Sequence, residues 1–194
     1  MRVLVIYAHP LADSFAAALH RAAVESLGAA GHEVDDCDLY AMGFDPVMTA
    51  PERRAHNTQH PDLSAIEAHA ERLRAADALV LCFPVWWYGM PAILKGYFDR
   101  VWVNGVVFHL HENGRIEPSL TRLKRIWVVR TYGAPWWLIK LMLRDPVRAV
   151  LTGIRLLCTR HVKTRHFALY SIESKTEAQT ARFLAKVRRE FARF

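Results

Sequence analysis

Residues 83–100 read FPVWWYGMPAILKGYFDR, and this stretch decides the fold that we expect. It begins where a buried apolar strand ends, passes through an aromatic loop bounded by Pro84 and Pro91, and continues to residue 102 with the apolar spacing of a helix. Pro91 is expected at the first helical position, where its missing N–H group would have no intrahelical partner.

The loop carries three adjacent aromatic residues, Trp86, Trp87 and Tyr88, although loops are usually polar. A flat ligand that stacks against these rings would explain them. Rings buried in the core or in a contact between subunits would explain them equally well. Both interpretations therefore stay open on this stretch alone.

The composition describes one folded domain. The chain has 194 residues, of which 52% are hydrophobic, so we expect a single domain over residues 1–194. The apolar run at residues 3–8 has neither the length of a membrane span nor the form of a secretory signal. The three cysteines are widely spaced and lack metal-ligand spacing, which predicts reduced thiols, a cytoplasmic location and no metal site.

The net charge of +7 favours anionic ligands, nucleotides or membrane surfaces without choosing among them. Basic residues concentrate after residue 120, but no recognised nucleic-acid module accompanies them. We therefore expect solvated helix faces and no nucleic-acid binding.

Strand-like and helical patterns alternate along the chain. Apolar runs near residues 2–8, 34–39, 78–83, 126–129 and 167–172 are separated by helical spacings, with an irregular stretch at 40–62 and a small hairpin or excursion at 105–118. Asp145-Pro146 is interpreted as a helix cap that divides the apolar stretch 136–157 into two helices. The pattern predicts an α/β fold, a doubly wound five-stranded parallel sheet of flavodoxin-like order 2-1-3-4-5 with helices on both faces.

Ligands of such sheets bind outside the carboxyl ends of the strands. The loops at 9–14, 84–89 and 131–135 follow the first, third and fourth strands, so they should converge on one crevice. The first loop leads into a helix N-terminus with Ser14 and His9 beside it, which suits a phosphate or pyrophosphate, although Ser14 also fits a plain helix cap. The G-x-G-x-x-G and G-x-x-x-x-G-K-[ST] patterns are absent, which argues against an ordinary Rossmann or P-loop site.

Three segments, at residues 8–15, 38–46 and 83–100, resemble the NAD(P)H:quinone oxidoreductase (DT-diaphorase-like) family of flavodoxin-like flavoproteins. The motif at 91–96, PAILKG, is the most specific of them, and the resemblance fades after Ala134. The resemblance implies an enzyme that binds FAD, or FMN in some relatives. It also implies a ping-pong, two-electron hydride transfer from NAD(P)H to quinones or similar acceptors.

The resemblance also implies the site residues. The phosphates would meet His9, Ser14, Phe15 and Ala16; the isoalloxazine would lie between Pro84, Val85, Trp86, Trp87 and Tyr88 on one side and Thr131, Tyr132, Gly133 and Ala134 on the other. A homodimer with sites between subunits is implied, and Phe108 and Trp87 would line the pocket of the quinone-like acceptor. No residue is assigned as catalytic, because the flavin carries the hydride chemistry.

The sequence departs from the family pattern at three places. Ala16 stands where the family often has Asn, and Trp86 stands where it commonly has Gln. The Tyr and His that follow the third loop in the mammalian enzymes have no counterpart in residues 136–146. The last departure leaves efficient quinone reduction open.

Two other functions are weighed against this one. The basic, Trp-rich region 136–165 also fits a regulatory flavoprotein subunit that binds a membrane transporter, or a peripheral membrane contact. A one-electron carrier like flavodoxin is disfavoured by the basic charge and by the missing Ser/Thr-rich phosphate loop.

Overall fold

The apolar runs of the sequence form one parallel sheet. A computed structural model describes residues 1–56, 58, 61–158 and 161–194. In chain order the elements are β1 (Arg2–Tyr7), α1 (Phe15–Ala29), β2 (Glu33–Asp38), α2 (Ala50–Ala55), α3 (Glu67–Ala75), β3 (Ala78–Val85), α4 (Ala92–Val101), β4 (Phe108–Leu110), β5 (Ile116–Pro118), β6 (Arg125–Tyr132), α5 (Pro146–Leu156), β7 (Lys163–Leu169) and α6 (Glu177–Phe191), with a π-helical segment at Leu138–Met142 and a 3-10 turn at Ile172–Ser174.

The five main strands lie in the order β2-β1-β3-β6-β7 and all pair in parallel. This arrangement confirms the predicted 2-1-3-4-5 pattern. The remaining strands, β4 and β5, form a separate antiparallel hairpin, also as predicted. Helices α1 and α6 pack on one face of the sheet, and α3, α4 and α5 pack on the other.

Several local predictions were inexact. The stretch 40–62, predicted to be irregular, contains α2, which begins with a capping box between Thr49 and Glu52. This helix buries no side chain, so its sequence has no apolar period to detect. Residues 57, 59 and 60 of the same stretch lie outside the described part. Pro91 is the N-cap of α4 rather than its first residue, since its ψ of 145° is extended.

The other differences concern strands. The fifth strand of the sheet, β7, spans Lys163–Leu169 rather than residues 167–172; its first half is polar and exposed at the sheet edge, so the apolar pattern does not reveal it. The third strand, β3, continues through Pro84 and Val85, and the fourth, β6, continues through Thr131 and Tyr132, so each runs two residues into the predicted loop that follows it. No helix in the described part of the chain is both long and apolar enough to cross a membrane.

The position of α4 depends on one glycine. A Cβ atom added to Gly96 would overlap the carbonyl oxygen and Cβ of Pro46, so the helix packs directly on the backbone that follows β2. Glycine alone permits this close approach. The glycine of the PAILKG motif therefore sets how closely α4 lies against the rest of the domain.

We expect Gly96→Ala to lower the free energy of unfolding by about 1–3 kcal/mol, because the methyl group forces α4 away from Pro46. Urea denaturation measures this. The matched control is Gly153→Ala in α5, where an added Cβ meets nothing within 4 Å. That change should stabilise the protein by roughly 0.5–1 kcal/mol through helix propensity. Equal effects of the two substitutions would contradict the packing argument.

Candidate functional site

The carboxyl ends of β1, β3 and β6 lie side by side, and the loops that follow them meet there. Tyr7 is in register with Cys82, and Val85 is in register with Tyr132. A groove of about 230 Å³ opens at this end of the sheet. Its lining residues are Val85, Trp87, Tyr88, Tyr132, Gly133, Ala134 and Ile139. The structure thus brings six of the predicted site residues together at one groove.

The aromatic loop is a tight two-residue turn. The amide of Trp86 donates to the carbonyl of Gly89 at 3.1 Å, and the amide of Gly89 donates back at 2.9 Å. Trp87 and Tyr88 have φ values of 48° and 61°, the left-handed geometry of a type I′ turn that favours Asn and Gly. Bulky residues in this region cost on the order of 1–3 kcal/mol each. The turn keeps this strained backbone, and as a result Trp87 is 96% exposed at the groove.

The first loop presents a helix N-terminus. Ser14 is the N-cap of α1, and its hydroxyl accepts from the amide of Ala17 at 3.1 Å, which bears out the plain-cap interpretation. Among the described residues, the amides of Phe15 and Ala16 have no acceptor, so they remain available to an anion. The methyl group of Ala16 is buried, so that residue faces the site through its backbone only.

His9 is positioned by its own turn. Its Nδ1 atom accepts from the amide of Leu11 at 3.0 Å, and its ring meets the Trp86 ring edge-on at 5.5 Å between centroids. Burial lowers the pKa of His9. The ring is therefore neutral at pH 7, with its proton on Nε2, where it can serve as a hydrogen-bond donor.

The third loop contributes backbone more than side chains. The amides of Gly133 and Ala134 donate no hydrogen bond within the part of the chain that is described. A Cβ added to Gly133 would meet only the Glu173 carboxylate, at 3.6 Å. Thr131 is buried toward α1, beside Ala16, and does not line the groove.

A buried charge network, which was not predicted from the sequence, lies behind the groove wall. Arg130 and Asp145 are 1% and 2% exposed, and their nearest N–O distance is 3.1 Å. The same carboxylate accepts from the Tyr132 hydroxyl at 3.1 Å and from Lys140 Nζ at 2.6 Å. The network thus joins β6 to the π-helical segment that carries the lining residue Ile139.

The structure confirms that Asp145-Pro146 divides the stretch into two helical segments, with Asp145 at the N-cap position of α5 and Pro146 in its first turn. The side chain of Asp145 makes no capping hydrogen bond, however, because it is turned inward to Arg130. Asp145 and Arg144 both have left-handed backbones, with φ values of 50° and 54°. The sequence did contain one indication of this ion pair, because an arginine inside the apolar run of β6 must find a counter-charge if it is buried. The sequence could not identify which carboxylate supplies it.

The ionisation states follow from these contacts. Burial opposes the charge of Asp145, but the Lys140 hydrogen bond and the Arg130 charge outweigh it and lower the pKa of the carboxyl. Burial raises the pKa of Tyr132, so its hydroxyl stays protonated and donates to the carboxylate. The network is an ionised carboxylate held by two cations and one neutral phenol.

The remaining predicted residues lie around the groove or away from it. Pro84 is buried in β3, and Trp86 is partly exposed at the base of the turn. Phe108 lies on β4, half-buried against the core, and it does not line the groove of its own chain. A single chain therefore does not bring Phe108 and Trp87 together in one pocket.

We expect Asp145→Asn to lower the free energy of unfolding by about 3–5 kcal/mol, because it leaves the buried Arg130 without a counter-charge. Chemical denaturation measures the change. Asp99→Asn, which breaks only the exposed pair with Lys95, is the control and should cost roughly 0–1 kcal/mol. A cost below about 1 kcal/mol for Asp145→Asn would show that the network does not hold the wall.

The same network predicts a pH dependence. Because the folded pKa of Asp145 lies below its ordinary value of 3.8, its stabilisation is complete well above that pH and is lost as the pH falls through the folded pKa. The stability gap between the natural protein and Asp145→Asn should therefore shrink on acidification below about pH 4. Denaturation series at several pH values test this, and a gap that widens in acid would contradict it.

Comparison with known proteins agrees with this geometry. A family model described as "Flavodoxin-like fold" matches residues 1–190. NAD(P)H dehydrogenase [quinone] 1 of Rattus norvegicus is 39% identical over an alignment of 123 residues, and the match covers 55% of this chain and 45% of the rat protein. The matched stretch thus spans about half the length of the curated relatives of this kind.

Two solved structures cover nearly the whole chain. Smu.1420 from Streptococcus mutans superposes with a TM-score of 0.86 at 28% identity, covering 100% of both chains. An NAD(P)H:quinone oxidoreductase from Methanothermobacter marburgensis gives a TM-score of 0.78 at 26% identity, covering 99% of this chain and 94% of its own. The protein therefore belongs to the flavodoxin-like fold family.

Proposed function

We propose that the protein is an NAD(P)H-dependent flavin reductase that transfers two electrons to quinones or similar acceptors. One observation carries the proposal. A strained turn holds exposed rings at a groove, and the opposite wall offers backbone amides that find no acceptor among the described residues. The names of the relatives that match about half of the chain agree with this activity.

The residues present fit a flavin. The free amides of Phe15 and Ala16, together with the neutral His9 ring, would hold the phosphates. The turn at 86–89 would lie along the isoalloxazine, and the amides of Gly133 and Ala134 would donate to its pyrimidine carbonyls. When bound, the flavin supplies the hydride chemistry.

The chain's own residues orient and tune that group. The amides of Gly133 and Ala134 would stabilise negative charge at the pyrimidine end, in place of the Tyr and His that follow this loop in the mammalian enzymes. Tyr132 and Asp145 act through the backbone, because their hydrogen bond fixes the loop that carries those amides. Trp87, exposed at the edge, shapes the slot in which nicotinamide and acceptor would alternate.

A homodimer completes the proposal. Phe108 does not line the groove of its own chain. This position leaves it available to line the acceptor pocket of the partner subunit in a dimer. We also propose a cytoplasmic location, supported by three buried cysteines that form no disulfide. None of the relatives reported above is named as a transporter subunit, so the regulatory alternative has no support from them.

Anaerobic titration tests the activity. The purified protein, with its flavin identified as FAD or FMN by chromatography, is mixed with NADPH or NADH and then with benzoquinone. We expect the visible flavin absorbance to bleach and then to recover, with one quinone reduced per nicotinamide oxidised, since hydride transfer moves two electrons. Semiquinone accumulation with one-electron stoichiometry would favour a carrier function. A protein that binds no flavin, or a flavin that stays oxidised, would overturn the proposal.

The strained turn should lower the free energy of unfolding while it increases the affinity for flavin. Trp87→Asn combined with Tyr88→Gly gives the turn its preferred residues, so the free energy of unfolding of the flavin-free protein should rise by about 1–2 kcal/mol. The same change removes the rings and should weaken flavin binding at least tenfold by fluorescence titration. Trp87→Phe, which keeps a ring on the strained backbone, should change both quantities little. Flavin affinity unaffected by the double change would show that these rings do not contact the cofactor.

A further inference from the structure

A basic apolar surface lies beside the groove, and the proposed function does not use it. We define it by Trp136, Trp137, Leu141, Met142, Arg144 and Arg148, all within residues 136–148. The four apolar side chains are between 53% and 68% exposed, and both arginines are exposed. Exposed apolar side chains concentrated in this way mark interaction surfaces.

This surface is attached directly to the groove wall. Its apolar residues flank Ile139, which is fully buried and lines the groove, and they lie on the helical segment fixed by the Lys140–Asp145 contact. The surface is therefore held rigidly at the edge of the groove. Whatever covers it also lies near the acceptor's entrance.

The charge pattern identifies the kind of partner. Between Glu117 and Glu173 the sequence holds eleven lysines and arginines but one acidic residue, Asp145, which is buried in the network described above. In the described part of the chain, Arg144 and Arg148 make no ion pair. A partner that matches this surface therefore combines negative charge with an apolar region into which the exposed side chains can insert.

We infer that this surface docks on a bilayer containing anionic lipid. Tryptophan rings suit the boundary between headgroups and acyl chains, and unpaired arginines suit the negative surface potential. Helices with exposed large apolar residues and basic residues bind in this interfacial manner without spanning the membrane. Self-pairing of the surface about a twofold axis would instead bring two surfaces of the same positive charge together.

This docking deepens the proposed function, because its consequence for catalysis rests on the protein being a quinone reductase. An apolar quinone-like acceptor dissolved in the bilayer would meet the groove at its docked edge. The binding of the surface to lipid does not itself depend on turnover. The two proposals therefore fail separately: an inactive protein that still binds vesicles would overturn the reductase function alone.

Vesicle sedimentation of the full chain with its flavin tests the inference. Vesicles of phosphatidylcholine and phosphatidylglycerol in equal parts are compared with pure phosphatidylcholine, at about 0.05 M and about 0.5 M salt. We expect binding at least about tenfold stronger to the anionic vesicles, weakened at high salt. Absence of that preference would overturn the inference.

Variants locate the binding. Arg144→Glu with Arg148→Glu, and separately Trp136→Ala with Trp137→Ala, should each weaken binding to anionic vesicles at least about tenfold. The matched control is Arg182→Glu with Lys186→Glu on α6, which reverses two exposed charges on the opposite face of the sheet. This control should retain most of the binding.

Two outcomes would overturn the assignment of this surface. Equal losses in the arginine variant and in the α6 control would show attraction by net charge alone. A dimer seen by light scattering that Trp136→Ala with Trp137→Ala converts to monomer, with no vesicle binding in the natural protein, would show an interface between copies. Thermal denaturation and turnover of soluble benzoquinone verify that each variant is folded.

Discussion

The arrangement at the groove depends on a buried ion pair between Arg130 and Asp145. An unpaired arginine inside an apolar sheet would cost several kcal/mol, so its carboxylate partner must be drawn in from the connection between β6 and α5. Tyr132 and Lys140 donate to the same carboxylate, which joins the strand, the π-helical segment and the start of α5 at one point. The wall of the groove is fixed because these elements share one charged group.

The other side of the groove is a turn with a strained backbone. Trp87 and Tyr88 occupy backbone conformations that suit Asn or Gly, and the surrounding hydrogen bonds between Trp86 and Gly89 hold them there. Local rules for a stable turn are broken where the protein needs rings exposed, which is expected of a binding site. A wall held in place by an ion pair thus faces a strained turn. The wall presents backbone amides to the groove, and the turn presents aromatic rings.

The sequence predicted the sheet well because the strands that are buried on both faces leave unmistakable apolar runs. It predicted edges and surface elements less well. The polar first half of β7 and the unburied helix α2 have no apolar pattern, since their positions come from neighbours rather than from burial. The position of Asp145 at the helix cap was predicted correctly, because it depends on the neighbouring Pro146; the inward turn of its side chain was not, because it reflects a partner fifteen residues earlier in the chain.

The sequence by itself determined the order of strands and helices, the family, and the three loops that meet at the groove. Those properties depend on periodicity and on the short motif at 83–100, which are local. Only the tertiary structure decided that Thr131 faces away from the groove, that Phe108 does not reach it within one chain, and that Arg130, Tyr132, Lys140 and Asp145 form one network. Side-chain direction and charge pairing arise between distant segments, and packing alone brings such segments together.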